Sequence, residues 1–138
     1  VDRSSSKSRY GVYGRARKVL DKGYSVCIFP EKEYLDETIL LNPFKSGAFR
    51  IAVEHQLPIC PMVFLDCKRK FPWYATHGYP GLLRVEIHPP LPTAGLTEND
   101  IPELKQKTYD LIHSELVNDP QQKAVEAIEV WKKFTQAG

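Results

Sequence analysis

An apolar run stopped by a proline and an acid sets the terms for the whole chain. Residues 26–29 read Val-Cys-Ile-Phe, and Pro30 and Glu31 follow at once. A short continuous run of this kind suits a strand covered on both faces, as in a sheet flanked by helices. A polar stretch then leads through Lys45 to Ser46 and Gly47. There Ala48, Phe49, Ala52 and Val53 recur at helical spacing, opposite Arg50 and Glu54. That helix ends near His55, and a second apolar run occupies 59–65.

The flanking segments extend this pattern. Val12, Ala16, Val19 and Leu20 predict a helix over residues 8–22, with Gly23 placed for a left-handed helix end. Helices alternating with strands imply short parallel crossovers. The expected fold is therefore α/β, a mixed and largely parallel sheet flanked by helices. Pro58 and Pro61 each remove a ladder donor, so the second strand should start late. Residues 66–81 read as loop. Residues 83–88 alternate, with Leu83, Val85 and Ile87 on one face and Arg84, Glu86 and His88 on a solvated one.

The remainder reads as two C-terminal helices. Thr97 with Asp100 forms a capping-box pattern ahead of a stripe made by Ile101, Leu104, Leu111, Ile112 and Leu116. Asp119-Pro120 restarts a helix whose apolar face is Ala124, Val125, Ile128, Trp131 and Phe134. Residues 1–92 then form the sheet-bearing part, and residues 93–138 a helical extension packed on the same domain. The chain opens on Val1-Asp2-Arg3, which reads as the tail of a strand. It is expected to be the C-terminal portion of something larger, truncated at its N-terminus.

At 138 residues the chain has the length of one domain. Its 42% hydrophobic and 26% charged residues are those of a folded globular protein. A net charge of +2 does not support nucleic-acid binding, so any work done by charge is local. Cys27, Cys60 and Cys67 contain no C-x-x-C pair, and two of them sit in apolar runs. Buried thiols are expected, with no zinc site and no disulfide framework. No apolar run is long enough to span a bilayer.

Lys45 stands just before a helix that opens with Gly47 and Ala48. Free amides at a helix start attract anions, glycine allows close approach, and a lysine adds an ionic contact. The same local sequence also suits a solvated lysine before an ordinary cap at Ser46. Arg3 and Glu31 each follow a predicted strand, where α/β sheets place their ligands, although a loop-end ion pair would account equally for Glu31. The basic stretch 68–70 with Phe71, Trp73 and Tyr74 fits either a membrane interface or a solvated loop.

Taken together, these residues resemble the glycerophospholipid acyltransferases, the lysophosphatidic acid acyltransferase family. Val1-Asp2-Arg3 is similar to the end of that family's second block. Phe29-Pro30-Glu31 is similar to the start of its third, and Leu57-Pro58-Ile59-Cys60-Pro61-Met62 to its fourth. The run from Asn42 to Phe49 matches the Phe-Lys-x-Gly segment between them. The resemblance implies a glycerol-3-phosphate acyltransferase-like fold. It also implies acyl transfer from a thioester, acyl-CoA or acyl-acyl carrier protein, to the free hydroxyl of 1-acyl-glycerol 3-phosphate. Arg3 and Lys45 would grip the acceptor phosphate with Ser46 and Gly47, and Glu31 would hold the glycerol part. No cofactor or metal is implied. The partners would be the lysophospholipid, the acyl donor and a membrane surface. The implied location is the cytoplasmic face of the cell membrane, reached peripherally or through a segment outside this chain.

Two departures qualify the match. Where the family continues Gly-Thr and often Arg-Ser, Glu31 is followed by Lys32, Glu33, Tyr34 and Leu35, which makes Lys32 a further candidate for the phosphate. The family's base is a histidine with an aspartate five positions on, and here His55, His77, His88 and His113 are followed at that spacing by Cys60, Leu82, Thr93 and Asn118. The catalytic pair is expected upstream of Val1, and the chain alone is expected to be inactive. A related enzyme with another acceptor, glycerol 3-phosphate or an ornithine lipid, and a non-catalytic phosphate- or lipid-binding module remain open at this level.

Overall fold

In the computed structural model, residues 6–32, 39–70 and 80–121 are described. Helix α1 (Ser6–Leu20) and helix α2 (Gly47–Glu54) are followed by strand β1 (Met62–Phe64) and the single turn α3 (Cys67–Lys70). Strand β2 (Val85–Ile87), a 3-10 turn (Glu98–Asp100) and helix α4 (Ile101–Asn118) complete the order. Gly23 closes α1 at φ 81°, the left-handed conformation its position called for. The capping box forms as read: Asp100 accepts from the Thr97 N–H at 2.7 Å, and the 3-10 turn runs directly into α4.

The core lies between α2, β1 and α4. Phe49 and Val53 from α2, Val63 and Leu65 around β1, and Ile101, Leu104 and Leu116 from α4 join Leu41 and Phe44 in one cluster. Phe44 stacks on Phe49, centroids 6.3 Å apart, and meets Tyr109 edge-on at 5.1 Å. Thr93, almost fully buried, donates to the Leu57 carbonyl at 2.8 Å and ties the segment after β2 to the end of α2.

The sheet departs from the expectation. Its two strands run antiparallel, with Met62 opposite Ile87 and Phe64 opposite Val85, and no parallel ladder occurs among the described residues. Pro58 and Pro61 do delay β1, while Ile59 makes only an isolated bridge to Leu91. Residues 25–29, expected as a buried strand, make no backbone hydrogen bonds to a neighbour among the described residues. Val26, Ile28 and Phe29 are exposed, Phe29 to 70%. Apolar composition makes a run fit for a central strand, but only a flanking strand can supply the ladder. For the same reason Cys27 is exposed rather than buried. Cys60, between two prolines and off the ladder, and Cys67 are exposed as well. The expected second C-terminal helix, the 71–79 part of the basic-aromatic loop and Arg3 lie outside the described residues.

The β2 alternation is real but inverted. Leu83, Val85 and Ile87 face outward, Ile87 66% exposed, while Arg84 and His88 turn inward and are half-buried. Arg84 explains the inversion. It donates two side-chain hydrogen bonds to Asp66 (3.0 and 2.8 Å) and two to Asp119 (2.8 and 2.7 Å), and its backbone N–H adds a third to Asp66. One guanidinium thus binds the end of β1 and the end of α4 to the start of β2. The Asp66 side chain is fully buried and that of Asp119 nearly so.

Asp66→Ala removes one of the two carboxylates from a partly solvated arginine. The expected loss is about 3 kcal/mol, the lower end for breaking a buried pair because Asp119 and water still serve Arg84. Urea unfolding measures it. The Arg84 hydrogen bonds also hold the Asp119 carboxyl below its ordinary range, and Thr97 does the same for Asp100. A depressed folded-state value stabilises above the unfolded pKa, about 4, and that stabilisation is lost as pH falls through the folded value. Thermal midpoints should therefore fall below that pH, with a shallower slope in Asp119→Asn.

Candidate acceptor-phosphate site

Pro30 cannot donate to a ladder, yet its carbonyl accepts from the Lys45 N–H at 2.8 Å, and the Lys32 N–H donates to the Pro43 carbonyl at 3.0 Å. These two bonds set Glu31 directly opposite Phe44 in an antiparallel bridge. A pair of this type brings its two side chains close on one face. Phe44 enters the core on that face, and Glu31 lies beside it, half-buried, its Oε2 accepting from the Asn42 N–H at 3.0 Å. Residues thirteen positions apart in sequence (31 and 44) are thereby paired in backbone.

Lys45 follows Phe44 and by strand alternation takes the opposite face. It is exposed, and no ion pair joins it to Glu31. The acid instead accepts from the loop backbone. Immediately beyond, α2 begins. Ser46 holds the N-cap position with helical angles (φ −74°, ψ −5°) and makes no side-chain cap, in contrast to its expected role. The first helical-turn bond runs from the Arg50 N–H to the Ser46 carbonyl at 2.9 Å. The amides of 47–49 are thus the orphan donors of a helix start, next to an exposed ammonium group.

At Gly47 an added Cβ would stand 3.2 Å from the Tyr13 hydroxyl, so α1 passes directly over the start of α2. On the other side, a cavity of ≈ 240 Å³ opens beside the bridge, lined by Pro43, Phe44, Lys105, Gln106 and Tyr109. The Tyr109 hydroxyl donates to the Leu41 carbonyl at 2.9 Å and fixes the loop ahead of Asn42. Among the sequence candidates, the structure brings together Glu31, Lys32, Lys45, Ser46 and Gly47, with Lys32 exposed and bonded through its backbone. Asn42, Tyr13 and Tyr109 escaped sequence reasoning. Only the Asn42-Pro43 turn pair carried a local signal. Of the described histidines, His55 caps the end of α2, His113 stacks on Tyr109, and His88 lies beside Glu115.

The comparisons with known proteins bear on the same segment. Residues 1–65 match the family model described as Acyltransferase. Human 1-acyl-sn-glycerol-3-phosphate acyltransferase alpha is 32% identical over 108 residues, covering 78% of this chain and 38% of that protein. The human beta enzyme is 37% identical over 93 residues, 63% of this chain and 31% of the relative. The 1-acyl-sn-glycerol-3-phosphate acyltransferase of Saccharomyces cerevisiae is 30% identical over 114 residues, 80% and 37% respectively. The chain thus spans well under half the length of these curated relatives. No solved structure matches it. The class is acyltransferase. The chain belongs to the glycerophospholipid acyltransferase family.

Glu31→Ala removes the acceptor of the Asn42 amide. A hydrogen bond to a charged group contributes about 1.5–3 kcal/mol, so the Asn42 amide should exchange with solvent roughly tenfold to a hundredfold faster. Hydrogen exchange resolved by residue checks this, and an unchanged Asn42 rate would show that the loop is held otherwise.

Proposed function

We propose that this chain carries the acceptor-phosphate site of an enzyme of phospholipid synthesis, one that acylates 1-acyl-glycerol 3-phosphate. The observation that carries the reading is the bridge between 30–32 and 43–45. It joins the family's Phe-Pro-Glu and Phe-Lys-x-Gly segments and leaves Lys45 exposed, with no ion pair among the described residues, beside the orphan amides of α2. In this reading Lys45, Gly47 and the α2 amides hold the phosphate dianion, Arg3 and Lys32 add positive charge, and Glu31 shapes the glycerol side of the pocket. The names of the relatives support the acceptor.

The reaction requires the free hydroxyl oxygen of the acceptor to attack the thioester carbonyl. A new ester C–O bond forms, the C–S bond breaks, and the thiol leaves with a proton. A base must take the hydroxyl proton. None of the four histidines has an aspartate five positions on, so we assign the base to sequence upstream of Val1 and expect the chain alone to bind without catalysing. The acyl donor, acyl-CoA or acyl-acyl carrier protein, enters as a co-substrate, and no further cofactor is called for. Because the product would be a lipid, we take the enzyme to work at a membrane surface and propose the cytoplasmic face.

The test uses the full-length enzyme with lysophosphatidic acid and oleoyl-CoA, following release of free thiol. Lys45→Ala should lower kcat/KM for the acceptor by roughly tenfold to a hundredfold, the worth of a charge-assisted contact, and Lys45→Arg should recover part of it. Wild-type kinetics in Lys45→Ala would remove the site from the proposal. A variant equally impaired toward an acceptor lacking phosphate would assign Lys45 another role.

A further inference from the structure

We propose that Glu86, His88 and Glu115 bind a borderline divalent cation, zinc above all, at the junction of β2 and α4. Their three donor atoms lie within 4.8 Å of one another. Glu86 and His88 are two positions apart and share one face of β2, the face of Val63 across the ladder. Glu115 comes from the last turns of α4, twenty-seven positions after His88 (88 to 115). The sequence held no metal-ligand spacing, and only the inversion of β2 creates the cluster.

The histidine, itself one of the three, adds a second observation. Its Nε2 is buried and has no hydrogen-bond partner. Glu115 Oε1 stands 3.8 Å away, close enough for an ion pair with a protonated ring but beyond hydrogen-bond reach. A buried ring nitrogen normally finds a partner, and a cation set between it and the carboxylate would provide one. The backbone beneath the ring is pinned on both sides. The His88 N–H donates to the Pro61 carbonyl at 3.0 Å, and its carbonyl accepts from the Cys60 thiol at 3.5 Å. The backbone that carries the ring is therefore held in place before any ion arrives.

Zinc takes imidazole nitrogen and carboxylate oxygen at about 2.0–2.2 Å, which spaces tetrahedral donors roughly 3.4 Å apart. The present cluster needs only a modest contraction, and the two glutamates, one exposed and one half-buried, have the rotamer freedom for it. An imidazole with two carboxylates favours zinc over magnesium or calcium, which prefer all-oxygen shells. Such an ion would tie β2 to α4 on the side of the sheet that also carries the Arg84 fork.

Zinc chloride titrated into the 138-residue chain by calorimetry, with His88 imidazole resonances followed by NMR, tests the proposal. One zinc per chain is expected, with displaced His88 signals and no response to magnesium. Glu115→Gln, a half-exposed change that preserves shape, and His88→Ala should each weaken binding at least tenfold, each checked for an unchanged metal-free melt. If His88→Ala fails to fold, Glu115→Gln decides alone. No uptake would overturn the proposal. So would uptake at full affinity in Glu115→Gln, which would place the metal elsewhere.

Discussion

Two backbone hydrogen bonds, Lys45 to Pro30 and Lys32 to Pro43, fix the geometry on which the candidate site depends. They act together with the burial of Phe44. That ring sits in the core between Phe49 and Tyr109, and its backbone forms one side of the bridge. The hydrophobic contact therefore sets where the polar loop lies, and the loop sets where Lys45 meets α2. Glu31 contributes by accepting the Asn42 N–H, which keeps its charge away from the lysine. An ion pair between the two would have satisfied local electrostatics and left less to attract a phosphate.

The Arg84 fork performs the complementary task at the far side of the core. Two carboxylates from different elements converge on one planar group, which fits because each can be bound through paired N–H donors. Their hydrogen bonds, Asp119 first and then Asp66, raise the affinity of Arg84 for its proton, and the arginine stays charged throughout. The arginine answers both buried aspartates, and Asp119 also accepts from the Gln121 N–H. The cost of this arrangement appears on the outer face, where Met62, Phe64, Val85 and Ile87 are left exposed.

The three longer helices were legible because their signals are local, whereas the short turn α3 falls in a stretch that reads as loop. Apolar spacing marked α1, α2 and α4, and Gly23 and the Thr97-Asp100 pair marked an end and a beginning. The sheet was not legible in the same way. Alternation at 83–88 shows that two faces differ, but which face turns inward depended on Asp66 and Asp119, 18 and 35 positions from Arg84. Parallel pairing was inferred from the order of apolar runs, and the ladder that formed was antiparallel. At the site, the resemblance picked out Glu31 and Lys45 as residue types in order. It carried no information on the bridge that joins their backbones or on the helical angles of Ser46, because both depend on contacts distant in sequence.

The central claim is that the start of α2 and Lys45 together hold a phosphate. It is tested most directly by titrating glycerol 3-phosphate into the isotopically labelled chain and following the backbone amides. Saturable shifts centred on Lys45, Gly47 and Ala48, reduced in Lys45→Ala and weakened by salt, are the expected result. Shifts that leave these amides unmoved, or that centre on another part of the fold, would contradict the claim.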